Sequence, residues 1–390
     1  MKTFRPIRPA IGIIFLAPFF LWILPNTNSA QQYYFPPYDE WEEQSPDALG
    51  INAEQLADAV DFAIDSESDI PVNLELFIAQ AFAGEPHNEI IGPTRERGPA
   101  TGVILKDGYI VAEWGDPYRV DMTFSVTKSF LSATAGIAHD QGLIDIHNPV
   151  RYYVHDGGFS SEQNRDITWD HLLRMTSEWE GILFDKPDWA DRPVGETGAY
   201  HERELQAPGE NWKYNDVRVN RLALSLLRVI REPLPAILRE EIMDPINASR
   251  TWEWHGYDNS WVKIDGLDVE SVSGGGHWGG GMFISARDMA RFGLLTLNRG
   301  NWDGEQILSD EWIEKSLTPT VLEPTYGFMN WFLNTDNDLL ESAPESAFYH
   351  AGAGSNIIYV DPDHDLVIVT RWIDNDYLDE FVGMVLDSFD

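Results

Sequence analysis

The chain has 390 residues and a mass of 44.3 kDa, and 43% of its residues are hydrophobic, which is enough to bury a sizeable core. Its 27 basic and 64 acidic residues give a formal net charge of −37, so the surface repels phosphate backbones, which argues against nucleic-acid binding. The chain has no cysteine, which excludes disulfides, thiolate nucleophiles, zinc–thiolate sites and iron–sulfur clusters.

The first 30 residues have the three-part layout of a secretory signal peptide. Three basic residues precede an apolar run over 10–24, and small and polar residues then lead to Ala30. The apolar run is short for a bilayer span, although Asn28 fits a small-residue cleavage site poorly. The pattern predicts a secreted or periplasmic protein with a mature domain over 31–390. It would contact a membrane only through an uncleaved N-terminal segment.

Strand hairpins are predicted near both ends of the mature chain. A helix over 52–63 begins at Asn52, whose side chain is suited to cap it. Apolar segments at 102–105 and 109–114 then flank a Lys-Asp-Gly turn, which is a strong hairpin signal.

A second hairpin is predicted near the other end, where 357–360 and 366–372 flank an Asp-Pro-Asp-His turn. An amphipathic helix follows over 378–389, and the region 125–295 has a mostly helical pattern broken by Trp- and Gly-rich loops. Strands at both ends with helices between them predict one sheet built from both ends of the chain and a helical insertion.

Metal-binding patterns fail on inspection. The run Asp361-x-Asp363-x-Asp365 begins like a calcium loop, but its sixth position is Leu366 and its twelfth is Trp372. The ten histidines form no H-E-x-x-H motif. We therefore predict no metal ion and no other cofactor.

An S-x-x-K motif occurs twice, as Ser125-x-x-Lys128 and as Ser260-x-x-Lys263. Ser125 opens a stretch of small and apolar residues over 129–138 that indicates a buried helix. Ser260 is predicted to lie in a turn-rich loop with no helix after it. We predict that Ser125 is the functional serine and that the second motif is fortuitous.

The spacing of Ser125 and Lys128 has a physical rationale. Residues i and i+3 share a helix face, and a helix N-terminus favours negative charge on a serine nucleophile. Burial lowers a lysine pKa, so Lys128 becomes a base. Tyr214 would be a second proton-transfer group, its phenol kept acidic by the nearby cation, although taken alone it is better explained as a packed core residue.

Three segments in this order, 125–128, Tyr214-Asn215-Asp216 and His350-Ala351-Gly352, resemble the motifs of the serine β-lactamase and penicillin-binding-protein superfamily. The chain is most similar to its class C branch, to family VIII carboxylesterases and to 6-aminohexanoate-dimer hydrolases. The resemblance extends through 167–177, 214–220 and 279–293 and covers nearly the whole mature chain.

The resemblance implies a β-lactamase-like α/β (α+β) fold, in which an antiparallel sheet built from both chain ends is flanked by helices. An inserted, mostly helical subdomain completes it. We assign residues 31–124 and 296–390 to the α/β part and residues 125–295 to the mostly helical part.

The resemblance also implies roles for individual residues. Ser125 would be the acylated nucleophile, and Lys128 and Tyr214 would pass the proton during acylation and deacylation. The backbone amides of Ser125 and Ala353 would form the oxyanion hole. Gly352, in the third motif, would contact substrate.

Two positions depart from the family pattern. Asp216 stands where the family usually has Asn, and His350 stands where it usually has Lys. An anionic Asp216 would repel a substrate carboxylate and, if it points inward, hold Lys128 protonated, whereas a largely neutral His350 would offer a carboxylate little attraction. His277 either lines the pocket or packs in its loop, and the loop around Trp179 is predicted to shape the pocket.

We interpret the sequence as a secreted serine hydrolase that cleaves a small-molecule amide or ester through an acyl-enzyme on Ser125. A true β-lactamase or a D-alanyl-D-alanine carboxypeptidase is the alternative, disfavoured by His350. A non-catalytic binding module on the same fold is a third reading, which the intact motif residues disfavour. The absence of a G-x-S-x-G motif argues against an α/β-hydrolase.

Overall fold

The fold is organised around an antiparallel sheet whose strands come from both ends of the described chain. The computed structural model describes residues 33–38 and 40–389, so the predicted signal peptide at 1–30 lies outside the described residues. Within the described ranges, no helix has both the length and the apolar content needed to cross a bilayer.

The secondary-structure elements are numbered along the chain. The strands are β1 (Thr101–Lys106), β2 (Tyr109–Trp114), β3 (Asp121–Met122), β4 (Ile182–Leu183), β5 (Lys186–Pro187), β6 (Glu253–Ile264), β7 (Leu267–Val272), β8 (Gly281–Ile284), β9 (Asn301–Trp302), β10 (Glu305–Gln306), β11 (Phe332–Leu333), β12 (Phe348–Gly352), β13 (Asn356–Asp361) and β14 (Leu366–Arg371). The helices are α1 (Ala53–Asp65), α2 (Leu74–Ala81), α3 (Thr127–Asp140), α4 (Trp169–Leu173), α5 (Asp216–Ile230), α6 (Leu234–Leu238), α7 (Ala286–Leu297), α8 (Asp310–Ser316) and α9 (Leu378–Asp387).

The main sheet has the strand order β11-β12-β13-β14-β1-β2, so the N-terminal hairpin pairs with the C-terminal one. In this register Val103 lies opposite Val369. Both predicted hairpins are therefore present, and the first turns through Asp107 and Gly108, whose φ angles of 53° and 88° suit a tight hairpin. The prediction of one antiparallel sheet built from both chain ends is confirmed.

Helices cover both faces of the main sheet. Helices α1 and α9 pack on one face, where Leu56 and Phe381 join a buried cluster with Ile104 and Ile368. Helix α7 packs on the other face, against β13, β14 and β1. The predicted helix near 52–63 is present as α1, and the Asn52 side chain accepts hydrogen bonds from the backbone amides of its first turn.

Residues 125–295 are less helical than their sequence pattern indicates. They contain α3 to α6 and most of α7, but also the long hairpin of β6 and β7, which joins β3 and β8 in a second, four-stranded sheet. The prediction that Ser260 lies in a loop is wrong, because Ser260 lies in β6, near a register shift between Gly256 and Trp261. The glycine and polar residues around this irregularity hide the strand alternation that a hairpin normally shows.

Candidate active site

Ser125 lies in a short 3₁₀ turn, Phe124–Val126, directly before α3. Phe124 has a φ angle of 49°, which is a strained conformation for an aromatic residue. Its ring is held edge-on against Phe77 and Trp372, and the Thr127 hydroxyl donates a hydrogen bond to its carbonyl oxygen at 2.5 Å. Packing around the turn therefore keeps Ser125 in position and leaves it only half-buried.

Lys128 lies one turn further along, on the same side of α3. Its Nζ is 2.8 Å from Ser125 Oγ and 2.5 Å from Asp216 Oδ1, and the side chain is completely buried. Burial lowers the pKa of Lys128 below its ordinary value, and the Asp216 carboxylate opposes this shift without cancelling it. The first motif therefore brings its hydroxyl and its amine together.

Tyr214 lies next to this pair, at the start of α5. Its ring centre is 4.9 Å from Lys128 Nζ, and its hydroxyl donates a hydrogen bond to Asn330 Oδ1 at 3.3 Å. Burial and the Asp216 carboxylate raise the pKa of Tyr214 more than Arg192 and a hydrogen bond with Ser125 lower it. The expectation of a phenol kept acidic by a neighbouring cation is wrong, since burial dominates.

Asp216 points inward and is compensated by cations. Besides Lys128, its carboxylate contacts Arg192 Nη1 at 3.0 Å, and its backbone N–H donates a hydrogen bond to the Asp191 carboxylate. Burial alone would raise the pKa of Asp216, but Lys128 and Arg192 lower it further than burial raises it. The carboxylate is thus anionic but paired, so the predicted repulsion of a substrate carboxylate is strongly reduced.

His277 lies next to Asp216, with its Nδ1 3.7 Å from Asp216 Oδ2, and only 3% of its surface is exposed. Its Nε2 is 2.7 Å from Glu85 Oε2, its Nδ1 is 3.4 Å from Asp191 Oδ1, and its ring stacks on Phe82. The donor atoms of these two carboxylates and His277 lie within 4.8 Å of one another, a spacing that suits a metal ion. Asp191, one of the two carboxylates, is already bound by the guanidinium of Arg192.

A cavity of about 520 Å³ opens beside Ser125, and we call it the Ser125 cavity. Gly352 and Ala353 lie on its wall together with Tyr214. A Cβ on Gly352 would come within 2.2 Å of the Thr123 carbonyl oxygen, so only glycine lets β12 approach the Ser125 turn this closely. The cavity-lining residues are Ser125, Arg192, Tyr214, Asn330, Phe332, Leu339, Leu340, Tyr349, Ala351, Gly352, Ala353, Ile357, Asn375, Leu378 and Asp379.

His350 does not reach the Ser125 cavity. Its side chain is completely buried among aromatic rings, including those of Trp331 and Phe292. Successive residues of a strand point to opposite faces, so Tyr349 and Ala351 face the cavity while His350 faces α7. Burial lowers the pKa of His350 to about 3, which keeps the ring neutral.

Trp179 also lies away from the Ser125 cavity. It is 3% exposed, and its indole N–H donates a hydrogen bond to the carbonyl oxygen of Gly158. It lines a neighbouring cavity with Trp189 and Arg203 instead. The prediction that Trp179 and His350 contact a substrate bound at Ser125 is therefore not supported by their positions.

Among the residues of the Ser125 cavity that sequence reasoning missed, two contact Tyr214. Asn330 accepts a hydrogen bond from the Tyr214 hydroxyl and donates one to the carbonyl oxygen of Ala351 at 2.8 Å, which links the segment before α5 to β12. Arg192 stacks its guanidinium over the Tyr214 ring at 4.9 Å. Both residues lie outside regular helices and strands, where no hydrophobic periodicity marks their position.

Comparison with known proteins identifies the family to which the chain belongs. The Beta-lactamase family model matches residues 89–372, and the chain therefore belongs to the beta-lactamase family. The 6-aminohexanoate-dimer hydrolase of Paenarthrobacter ureafaciens is 21% identical over 309 residues, which cover 70% of this chain and 73% of that protein.

Solved structures support the same fold. A family VIII carboxylesterase has 16% sequence identity and a TM-score of 0.55, and the match covers 86% of this chain and 96% of the other. A penicillin-binding-protein homologue from Caulobacter crescentus has 14% identity and a TM-score of 0.56, with coverage of 87% and 99%. The superfamily and fold class predicted from the sequence are both confirmed.

Proposed function

We propose that the protein is a serine hydrolase that cleaves an ester or amide through an acyl-enzyme on Ser125. The observation that carries the proposal is the 2.8 Å contact between Lys128 Nζ and Ser125 Oγ at the edge of a cavity that Tyr214 also lines. A nucleophile within hydrogen-bond reach of a base is the geometric requirement for covalent catalysis.

In acylation, the neutral form of Lys128 accepts the Ser125 hydroxyl proton as Oγ bonds to the substrate carbonyl carbon. The bond to the leaving group then breaks, and the leaving oxygen or nitrogen takes a proton from the Tyr214 phenol, which Lys128 restores. The raised pKa of Tyr214 keeps its phenol protonated, so that it gives its proton only to a strongly basic leaving group, and the lowered pKa of Lys128 increases the share of neutral amine that can accept a proton.

The oxyanion that forms in each step would be bound by the backbone amides of Ser125 and Ala353. Both residues lie on the wall of the Ser125 cavity, because Gly352 allows close approach of β12. In deacylation, the neutral Lys128 amine takes a proton from a water molecule as its oxygen bonds to the acyl carbon. The bond between that carbon and Ser125 Oγ then breaks, Oγ regains the proton from Lys128, and the acid is released. Each backbone amide of an oxyanion hole, here those of Ser125 and Ala353, typically contributes about 3 kcal/mol of transition-state stabilisation.

Ester and linear amide substrates fit the proposal better than β-lactams. The relatives include a protein named as a 6-aminohexanoate-dimer hydrolase and one named as a carboxylesterase. The test compares wild type with Ser125→Ala on p-nitrophenyl esters, short linear amides and nitrocefin. Ser125-dependent turnover of an ester or amide supports the proposal, and Ser125-dependent turnover of nitrocefin alone would favour a β-lactamase.

Export from the cytoplasm is part of the proposal and relies on the signal-like sequence at 1–30. N-terminal sequencing of protein recovered outside the cytoplasm would test it. A new N-terminus near residue 31 supports cleavage and export, whereas an intact N-terminus on cytoplasmic protein would contradict them.

A further inference from the structure

Arg192 is a charged group in the Ser125 cavity to which none of the steps above assigns a role. Its side chain is 39% exposed, and it lines the same cavity as Ser125 and Tyr214. Its backbone has a φ angle of 46°, in the left-handed region that non-glycine residues seldom adopt. The backbone N–H donates a hydrogen bond to Glu85 Oε1, which helps to hold this conformation.

One edge of the Arg192 guanidinium is fixed by the protein and the other is free. Nη1 lies 2.5 Å from Asp191 Oδ1 and 3.0 Å from Asp216 Oδ2, and the plane of the group lies over the Tyr214 ring. In the part of the chain that the structure describes, Nε and Nη2 make no hydrogen bond. A guanidinium carries five N–H donors, so several are left to bind a ligand in the cavity.

The charges that line the cavity point to the type of ligand. Among the described lining residues, Arg192 is the one cation and Asp379 the one anion. Asp379 is already bound by the backbone N–H and the hydroxyl of Ser342. Arg192 is thus an anchored cation with unused donors, in a chain whose net charge is −37.

We propose that Arg192 binds a carboxylate group of the substrate, so that the natural substrate is an ester or amide that carries a carboxylate. The proposal rests on the proposed function. The planar guanidinium fork matches a carboxylate, and its anchoring by Asp191 and Asp216 reduces the side-chain entropy lost on binding. From the sequence, we expected the negative charge of Asp216 to disfavour substrates that carry a carboxylate. The proposal reverses this expectation, because Arg192 and Lys128 compensate the charge of Asp216.

The experiment uses matched esters that differ only in charge. In one pair the acyl half varies, with 4-nitrophenyl valerate against the mono-4-nitrophenyl ester of glutaric acid. In the other pair the leaving half varies, with 4-acetoxybenzoate against its methyl ester. For each pair the ratio of kcat/KM for the anionic to the neutral ester is measured in wild type, Arg192→Gln and Arg192→Lys. Arg165→Gln is the control, since Arg165 has a similarly exposed side chain (51%) and does not line the cavity.

In Arg192→Gln we expect the ratio to fall by about tenfold or more in at least one pair, because a charge-assisted hydrogen bond is lost. Arg192→Lys keeps the charge and should lose less, and Arg165→Gln should match wild type. If Arg192→Gln slows both members of each pair equally, Arg192 acts only through Asp216 and Lys128, and the inference is overturned. If wild type hydrolyses neither these esters nor the short linear amides, the proposed function itself fails.

Discussion

The two S-x-x-K segments of this chain have the same spacing but different structures. In the helical motif, Ser125–Lys128, the hydroxyl and amine are 2.8 Å apart because residues i and i+3 share a helix face. In the strand motif, Ser260–Lys263, residues three apart point to opposite faces of β6. An S-x-x-K motif therefore places its hydroxyl beside its amine only where the chain around it is helical.

The partners of the two motifs differ as well. Ser260 is completely buried, and its hydroxyl bonds to the backbone N–H and carbonyl oxygen of Tyr257. Lys263 is 66% exposed and pairs with Asp268 at 2.7 Å. The polar atoms of the strand motif are thus used in local structure, whereas those of the helical motif face each other at the edge of a cavity.

The largest expected effect separates the two serines. Ser125→Ala should reduce kcat/KM for any ester by about 10⁴-fold or more, because the nucleophile is lost. Ser260→Ala should leave kcat/KM nearly unchanged and lower the free energy of unfolding by about 1 kcal/mol, because two local hydrogen bonds are lost. Ester kinetics and urea unfolding of both variants test this, and equal losses of activity would remove the distinction between the motifs.

The next effect concerns Lys128 and Tyr214, which contact each other as well as Ser125. Each of Lys128→Ala and Tyr214→Phe should lower kcat by about 10²- to 10⁴-fold. If they act as one proton-transfer unit, the double variant should be little worse than the more damaging single change. Strictly additive losses, measured in a double-mutant cycle, would show two independent roles.

A smaller effect is expected at Gly275, which makes room for the Lys128–Asp216 pair. An added Cβ would come within 2.5 Å of Lys128 Nζ and 2.7 Å of Asp216 Oδ1. Gly275→Ala should therefore displace the amine and lower kcat/KM by about 100-fold. Gly84→Ala is the matched control, because a Cβ there meets nothing within 4 Å. Full activity in a folded Gly275→Ala protein would mean that the ion pair does not need this geometry.

The smallest effect is a shift of the pH profile. The Asp216 carboxylate raises the pKa of Lys128 against the effect of burial, so Asp216→Asn should lower that pKa further. Since the neutral amine is the active form, the acidic limb of kcat/KM should move to lower pH. Asp268→Asn, which changes the partner of Lys263 in the strand motif, should leave the profile unchanged. A shift to higher pH, or none, would contradict this role for Asp216.

Local signals in the sequence were sufficient for much of the fold. The Asn52 cap and the tight turn at Asp107 and Gly108 depend on a few neighbouring residues, and the structure has both. The β6 hairpin was missed because a register shift after Gly256 interrupts its alternation. The prediction that Trp179 shapes the Ser125 cavity was wrong, because tertiary packing decides which cavity a loop lines.

In the site, the resemblance of three motifs and their order to those of the superfamily was needed to group Tyr214 with Ser125 and Lys128. The sequence did not predict which side of the sheet the His350 side chain faces. Alternate residues of β12 face opposite sides, and the motif does not indicate which of them face the cavity. Arg192 reaches the site from an irregular segment and meets Asp216 only in the folded protein. Charge compensation between such residues is a tertiary property, so no local pattern could indicate it.

The most direct test of the central claim is to identify the serine that becomes acylated. Wild-type protein would be treated with a fluorophosphonate probe or a slowly deacylating ester, digested, and analysed by tandem mass spectrometry. We expect one adduct, on Ser125, which is absent from Ser125→Ala and retained in Ser260→Ala. An adduct on Ser260, or turnover of the ester with no covalent adduct on Ser125, would contradict it.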